Sequence, residues 1–486
     1  MNPVFSALEP QTVWRHFAML CETPRASKAE HQVVEKIMAW ARSRGIEAKA
    51  DPSRNLILSA PGRSGRESAP GVILQAHLDM VCQRESGHVH DFSRDPIQPE
   101  IEAGWLVARH TTLGADNGIG VALALAALEA DMARGPLEVL LTSDEEAGMG
   151  GARALSPDAL HGRYLLNLDS EEWGVFCLGC AGGARVDAEF SADNLPACPV
   201  PPQHITLELK LDGLVGGHSG MDIHQPRANA IRFLCAILPE LFAVAPFGLA
   251  ELSGGTVDNA LPRTARAILV LPSGRQEALV HALSPLRDRL CREFPAEADP
   301  LLALEPASLP AEMIEEAGWR RLIEAILRLP YGVAAMHDDF PGVVETSNNL
   351  APCHLYPGGG SFSLLVRSLI DSERDRLTGE IKEAIIRAGG RARIQGAYPG
   401  WCPDLESELL FRADEAYRQT FSRSPCRSVV HAGLECGLFT EKFPALRMLS
   451  FGPDIRGAHA PGERVNIASV GACWQFLTRL LPALAD

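Results

Sequence analysis

Three short apolar runs punctuate the first part of the chain: Gly71-Val72-Ile73-Leu74-Gln75-Ala76, Leu137-Glu138-Val139-Leu140-Leu141-Thr142 and Tyr164-Leu165-Leu166-Asn167-Leu168. They lack a polar alternation, the pattern of strands buried on both faces. Between them, Asn117 to Ala130 carries apolar residues at helical spacing. Its uncharged stretch, Ile119 to Leu128, falls far short of the ~20 residues that span a bilayer, so it predicts a buried helix. The alternation predicts an α/β domain with a mostly parallel sheet over residues 1–187. A further apolar run, Ala445 to Phe451, predicts a last buried strand, so residues 398–486 are expected to complete that sheet.

The middle, 188–397, reads differently. It opens on the Pro-rich stretch Leu195 to Pro202, a crossing between domains. Gly255-Thr256-Val257-Asp258-Asn259-Ala260-Leu261-Pro262, followed by a strand and a helix ending near Phe294, parallels Glu345-Thr346-Ser347-Asn348-Asn349-Leu350-Ala351-Pro352. The second copy continues into a strand around Ser363 to Arg367 and a helix from Ser372 to Ala388. An inserted α+β domain of two related halves is therefore expected.

The 486 residues carry 61 acidic and 45 basic side chains, a balance of 45 − 61 = −16. That surface repels polyphosphate and anionic lipid, and no basic stripe offsets it, so neither nucleic acid nor membrane is an expected partner. Met1 to Met19 mixes Glu9, Arg15 and His16 among its apolar residues, unlike a signal or transit peptide, which predicts a cytoplasmic protein. Twelve cysteines follow no repeating frame, as for reduced thiols used as small core residues. Cys177 and Cys180 are read the same way, and His88, His90 and His110 as parts of a solvated loop.

The chemistry gathers where the predicted strands end. His77-Leu78-Asp79 follows the first, and residues two apart on an extended segment share a side. If His77 binds a metal, Asp79 is better placed to orient it than to ligate; otherwise the two form a surface pair. Asp116, in Gly114-Ala115-Asp116-Asn117-Gly118, opens the helix either as its N-cap or as a carboxylate bridging two cations. Ser143-Asp144-Glu145-Glu146 is either a solvated acidic loop or a ligand, Glu146, beside a base, Glu145. Asp169 and His459 also follow predicted strands. Five candidate ligands (His77, Asp116, Glu146, Asp169, His459) thus fall at the one sheet edge where they could converge. Three carboxylates around two divalent cations leave 4 − 3 = +1, and a donor set without thiolate suits Zn²⁺, with Mn²⁺ or Co²⁺ as substitutes.

In order, these motifs resemble those of the di-zinc metallopeptidase family that contains carboxypeptidase G, aminoacylase and several dipeptidases. Thr111-Thr112-Leu113-Gly114-Ala115-Asp116-Asn117-Gly118, Val344 to Leu350 and His431-Ala432-Gly433-Leu434-Glu435-Cys436-Gly437 resemble its aminoacyl-histidine (Xaa-His) dipeptidase branch. The resemblance implies that His77 and Asp169 hold one zinc, Glu146 and His459 the other, and Asp116 bridges them. It further implies Asp79 as the orienting acid, Glu145 as general base and a lid inserted at about 187–397. His218, in Gly216-Gly217-His218-Ser219-Gly220, would help stabilise the oxyanion, and Asn259, Arg367, Gly433 and Glu435 would bind substrate. The implied partner is a small dipeptide such as β-Ala-His, with hydrolysis of N-acyl amino acids or a catalytically silent binding protein as the rival readings. A homodimer stays open.

Overall fold

The structure, a computed structural model, describes residues 3–486; Met1 and Asn2, where the first predicted segment begins, lie outside the described residues. Backbone contacts divide the chain into two units. The first comprises Met1–Gly179, Trp401–Val429 and Leu434–Asp486, and the second Cys180–Gly400 and Val430–Gly433. These divisions fall at 179/180 and 400/401, near the sequence positions 187/188 and 397/398. Strand Gly182–Phe190 draws the first one back, because it pairs along its length with strands Gly359–Ser368 and Arg391–Tyr398 of the second unit.

The first unit is built on an eight-stranded sheet. Its centre runs Leu137–Thr142, Val72–His77, Tyr164–Asn167, Arg447–Ser450, all parallel. Antiparallel strands Leu56–Ala60 and Glu47–Ala50 extend one side, and Val175–Cys180 joins the other antiparallel to Arg447–Ser450. The sheet is thus parallel only in its middle, and that middle is the part whose apolar runs the sequence displays. Every residue of Val72–His77 and Tyr164–Asn167 is buried, as a strand covered on both faces must be. Helix Ala115–Glu129 packs against Val72–His77 and against helix Gln11–Cys21, and from Asn117 to Leu128 all of its residues are buried. Its Ala, Gly and Leu composition carries no polar face to expose. A separate four-stranded sheet joins Glu100–Glu102, Trp105–Val107, Arg464–Asn466 and Ile455–Arg456.

The second unit forms an eleven-stranded antiparallel sheet with helices Ala230–Val244, Gln276–Glu293, Glu316–Arg328 and Asp371–Arg387. The sheet is continuous, with Gly248–Gly254 pairing with Val344–Tyr356. The two similar peptides diverge in conformation. Glu345 to Pro352 lies inside a thirteen-residue strand, whereas Gly255 to Pro262 is a loop ending in the short strand Ala260–Leu261. Among the described residues no disulfide forms, and Cys177 and Cys180 are buried. Among the described residues, no helix is long and apolar enough to cross a membrane.

Candidate metal centre

Three of the five expected ligands leave neighbouring parallel strands at their C-terminal ends, where open α/β sheets place their ligands. His77 closes its strand opposite Thr142, with Glu146 four residues beyond Thr142; Asn167 lies opposite Gln75, with Asp169 two residues beyond Asn167. Asp116 arrives from the glycine-rich loop ahead of the buried helix, and His459 from the loop after Ile455–Arg456.

These five side chains converge within the first unit. His77 Nε2 lies 3.1 Å from Asp116 Oδ1 and 3.4 Å from Asp169 Oδ1. His459 Nε2 lies 3.1 Å from Asp116 Oδ2 and 3.1 Å from Glu146 Oε2. Each oxygen of Asp116 therefore faces a different imidazole. The backbone at Asp116 is non-helical (φ −79°, ψ 110°), and its two carboxylate oxygens are turned to His77 and His459. His77, Asp116 and Asp169 form one set of donor atoms mutually within 4.8 Å, and Asp116, Glu146 and His459 form another.

Such a cluster demands positive charge. Burial pushes the His77 imidazolium down, but Asp169, Asp116 and Asp79 outweigh it and hold its pKa well above the ordinary value. His459, bonded to Asp116 and Glu146, is raised to about 11. Burial and the neighbouring Asp116 and Glu146 lift Asp169 to about 6, against the pull of His77. Both nitrogens of His77 face oxygens, since Nδ1 also lies 3.2 Å from the Asp79 carbonyl. A neutral imidazole can donate from only one of them. Glu146 Oε1 is buried with no hydrogen-bond partner. Acceptors crowded without donors, an orphaned carboxylate oxygen and an oxygen-plus-imidazole set all fit divalent cations.

Asp79 organises this edge. It is fully buried, with one carboxylate oxygen 3.4 Å from His77 Nδ1. It also accepts from Ser27 Oγ (2.8 Å) and from the backbone N–H groups of Glu145 (3.0 Å) and Glu146 (3.1 Å). Burial opposes its charge, but the bonds from His77, Ser27 and Glu145 win and hold its pKa at about 2. One carboxylate thus orients a histidine and the turn that carries Glu145 and Glu146. Burial, helped by Asp169, Glu435 and Glu146 and opposed by His77, places the Glu145 carboxyl well above the usual range.

Glu435, expected at the substrate, is only 1% exposed. Its Oε2 accepts from Gln75 Nε2 (2.6 Å) and Thr142 Oγ1 (2.7 Å), residues on the central strands, and burial lifts its pKa to about 8. The packing puts it in a polar layer of the sheet rather than facing solvent.

The other expected residues belong to the second unit. His218 pairs across strands with Ala260, and the N–H of Ser219 donates to the Asn259 carbonyl at 2.8 Å. A Cβ on Gly220 would lie 3.2 Å from both His218 Cε1 and Arg367 Cδ, so the side chains of His218 and Arg367 flank this glycine. His218 Nδ1 accepts from the N–H groups of Gly220 (3.2 Å) and Met221 (3.1 Å), which leaves its proton on Nε2. Burial and the nearby Arg367 lower its pKa to about 4, so it is neutral at pH 7. Arg367 is 5% exposed and donates to the Tyr398 hydroxyl at 2.9 Å. Gly433 abuts the Tyr398 ring.

Sequence reading missed several members of these networks. Ser27 and Arg25 precede the first strand in a stretch without any pattern, and only the fold brings them to Asp79. Glu463 stands four residues after His459, a spacing that could have drawn attention to it. His431, whose Nε2 lies 2.8 Å from Ser347 Oγ, was quoted within its motif without a role. His88 and His110 stack at 4.9 Å, and His110 pairs with Glu85; among the described residues, no metal-binding group forms there.

Residues 73–483 match the profile of peptidase family M20/M25/M40. The chain belongs to this family and is a metallopeptidase. It is 40% identical over 482 residues, 98% of each chain, to the cytosol non-specific dipeptidase of Escherichia coli K12. The crystal structure of aminoacylhistidine dipeptidase from Vibrio alginolyticus superposes with a TM-score of 0.88 at 40% identity, over 99% of this chain and 98% of that one. A tripeptidase from Staphylococcus aureus shares the fold at 14% identity and a TM-score of 0.61, over 98% and 99% of the two chains.

Replacing Asp79 with Asn should put an amide N–H₂ where the Glu145 and Glu146 N–H groups need an acceptor. Metal affinity or activity is expected to fall about 10- to 100-fold with an unchanged circular dichroism spectrum. Chelator competition and initial rates check this, and wild-type values for both would remove the organising role.

Proposed function

We propose that this protein is a cytoplasmic dipeptidase that uses two divalent cations, zinc by preference of the donor set, to hydrolyse unblocked dipeptides, with Xaa-His dipeptides such as β-Ala-His among them. The observation that carries this reading is Asp116, whose two oxygens face His77 with Asp169 on one side and His459 with Glu146 on the other. The names of the Escherichia coli and Vibrio alginolyticus relatives support the substrate class, and the former supports the location.

His77 and Asp169 would hold one cation, Glu146 and His459 the other, and Asp116 both. When bound, the cations supply Lewis acidity, which eases loss of a proton from water and polarises the scissile carbonyl. Glu145 is the proton acceptor. Asp79 fixes its backbone N–H, while its carboxyl, held above the ordinary carboxylate range, is suited to take a proton and return it to the leaving amine nitrogen. His218 is neutral with Nε2–H as its free donor, the form that can hydrogen-bond a developing oxyanion. The guanidinium of Arg367 has its Nε unpartnered, and we assign it to the substrate carboxylate together with Asn259 and Gly433.

A panel of β-Ala-His, Gly-His and N-acetyl-histidine tests the substrate class. The first two should be hydrolysed and the third spared; faster cleavage of the N-acetyl compound would overturn the dipeptidase reading in favour of acylamino-acid hydrolysis. The Glu145→Ala variant should lose about 10²-fold or more in kcat while elemental analysis finds near-normal metal. The Asp116→Ala variant should instead fail to retain both ions, and full occupancy in it would rule out the shared position.

A further inference from the structure

The loop that delivers Asp116 is gripped from two sides by buried charged groups outside the expected ligand set. On one side stands Glu463, 1% exposed. Its Oε2 accepts from the backbone N–H groups of Leu113 (2.7 Å) and Gly114 (2.9 Å), and its Oε1 from those of Ala115 (2.7 Å) and Asp116 (3.2 Å). Four consecutive amides converging on one carboxylate leave that segment little freedom to rotate, because any change in its backbone angles breaks charge-assisted bonds in a buried place.

On the other side stands Arg25, 2% exposed. Its Nη1 donates to the carbonyls of Leu78 and Asp79, both at 3.0 Å, and its Nη2 to the carbonyl of Gly114. The Gly114 residue is therefore held at its N–H by the acid and at its carbonyl by the arginine. Only glycine fits, since φ is +68° and a Cβ would fall 2.3 Å from Arg25 Nη2.

Glu463 is also anchored on the His459 side. It lies four residues past His459, donates its N–H to the Ala460 carbonyl (3.2 Å) and accepts the Ala108 N–H on its own carbonyl (3.1 Å). Strand Arg464–Asn466 then pairs with Trp105–Val107. One carboxylate thereby sets the backbone of both partners in the Asp116–His459 contact, while Arg25 ties the same loop to the turn bearing His77 and Asp79.

We propose that Glu463 is a positioning residue for the metal centre, fixing the loop of Asp116 against the loop of His459 so that the shared carboxylate is preorganised, with Arg25 as its counterpart on the His77 side. This rests on the metal-centre reading above and adds to it a residue outside the ligand set. The cost of misplacing a ligand carboxylate falls on cation affinity and on turnover, and leaves recognition of the dipeptide ends, assigned to the second unit, unaltered.

The test titrates Zn²⁺ into metal-free protein against a chromophoric chelator, for the wild type, Glu463→Gln and Glu463→Asp, alongside kcat and KM on Gly-His. In Glu463→Gln the side-chain NH₂ would confront N–H donors. Zn²⁺ binding is expected to weaken at least about tenfold and kcat to fall similarly, with KM within about twofold of wild type. Glu463→Asp keeps the charge at shorter reach and should recover part of both. A merely structural role would lower stability without changing zinc affinity in the folded protein. Wild-type zinc affinity and kcat in Glu463→Gln would overturn the proposal. If that variant does not fold, Glu463→Asp decides: weakened zinc binding with an intact circular dichroism spectrum supports the proposal, and unchanged affinity and kcat overturn it. Because zinc affinity is read without substrate, a wild type that binds zinc yet cleaves no dipeptide would sink the functional reading and leave this one standing.

Discussion

Carboxylates do not gather unless something positive holds them, and in this protein Asp116, Glu146 and Asp169 meet around two imidazoles at one edge of a sheet. In water the acids would separate. At the end of a parallel sheet they cannot, because strand pairing fixes where His77, Thr142 and Asn167 stop, and the residues that follow have little chain with which to diverge. The pKa values of His77 and His459, both forced up by surrounding acids, express the same unmet demand for positive charge. Divalent cations would meet it, in keeping with the metallopeptidase character of the family.

Two further carboxylates beside that cluster accept from backbone N–H groups. Asp79 collects the N–H groups of Glu145 and Glu146, and Glu463 those of Leu113 to Asp116. Both use the same device, a buried acid whose lone pairs are satisfied by consecutive backbone amides, which converts a flexible turn into a fixed one. Such acids satisfy the backbone of loops that no ladder hydrogen bond supports. In the second unit the logic differs: backbone N–H groups donate to His218 Nδ1 and so fix a tautomer rather than a turn.

How much of this was legible depended on whether the signal was local. The runs at 72–77, 137–142 and 164–167 announce doubly covered strands because burial on both faces leaves no polar position, and they appear with nearly the expected bounds. His77, Glu146 and Asp169 were legible as candidates because each closes or follows such a run. Spacing leaves Asp116 open between an N-cap and a bridge, since both readings place an acid at a helix start; where its two oxygens point is set by the distant His77 and His459. The motif of Glu435 is local, but its bonds to Gln75 and Thr142 on the central strands are not, and only the fold shows them.

The sequence by itself determined which segments become strands and the buried helix, the excess of acid, and the order of the motifs that mark the family, because periodicity and residue type are properties of neighbouring positions. The tertiary structure alone decided which acids face imidazoles and which hold backbone, that Arg25 reaches three carbonyls, and that Glu463 grips a loop about 350 residues away in sequence. The reason is that a carboxylate or guanidinium is chemically the same wherever it stands. Its role is set by the donors and acceptors around it, and those come from parts of the chain that only folding makes adjacent.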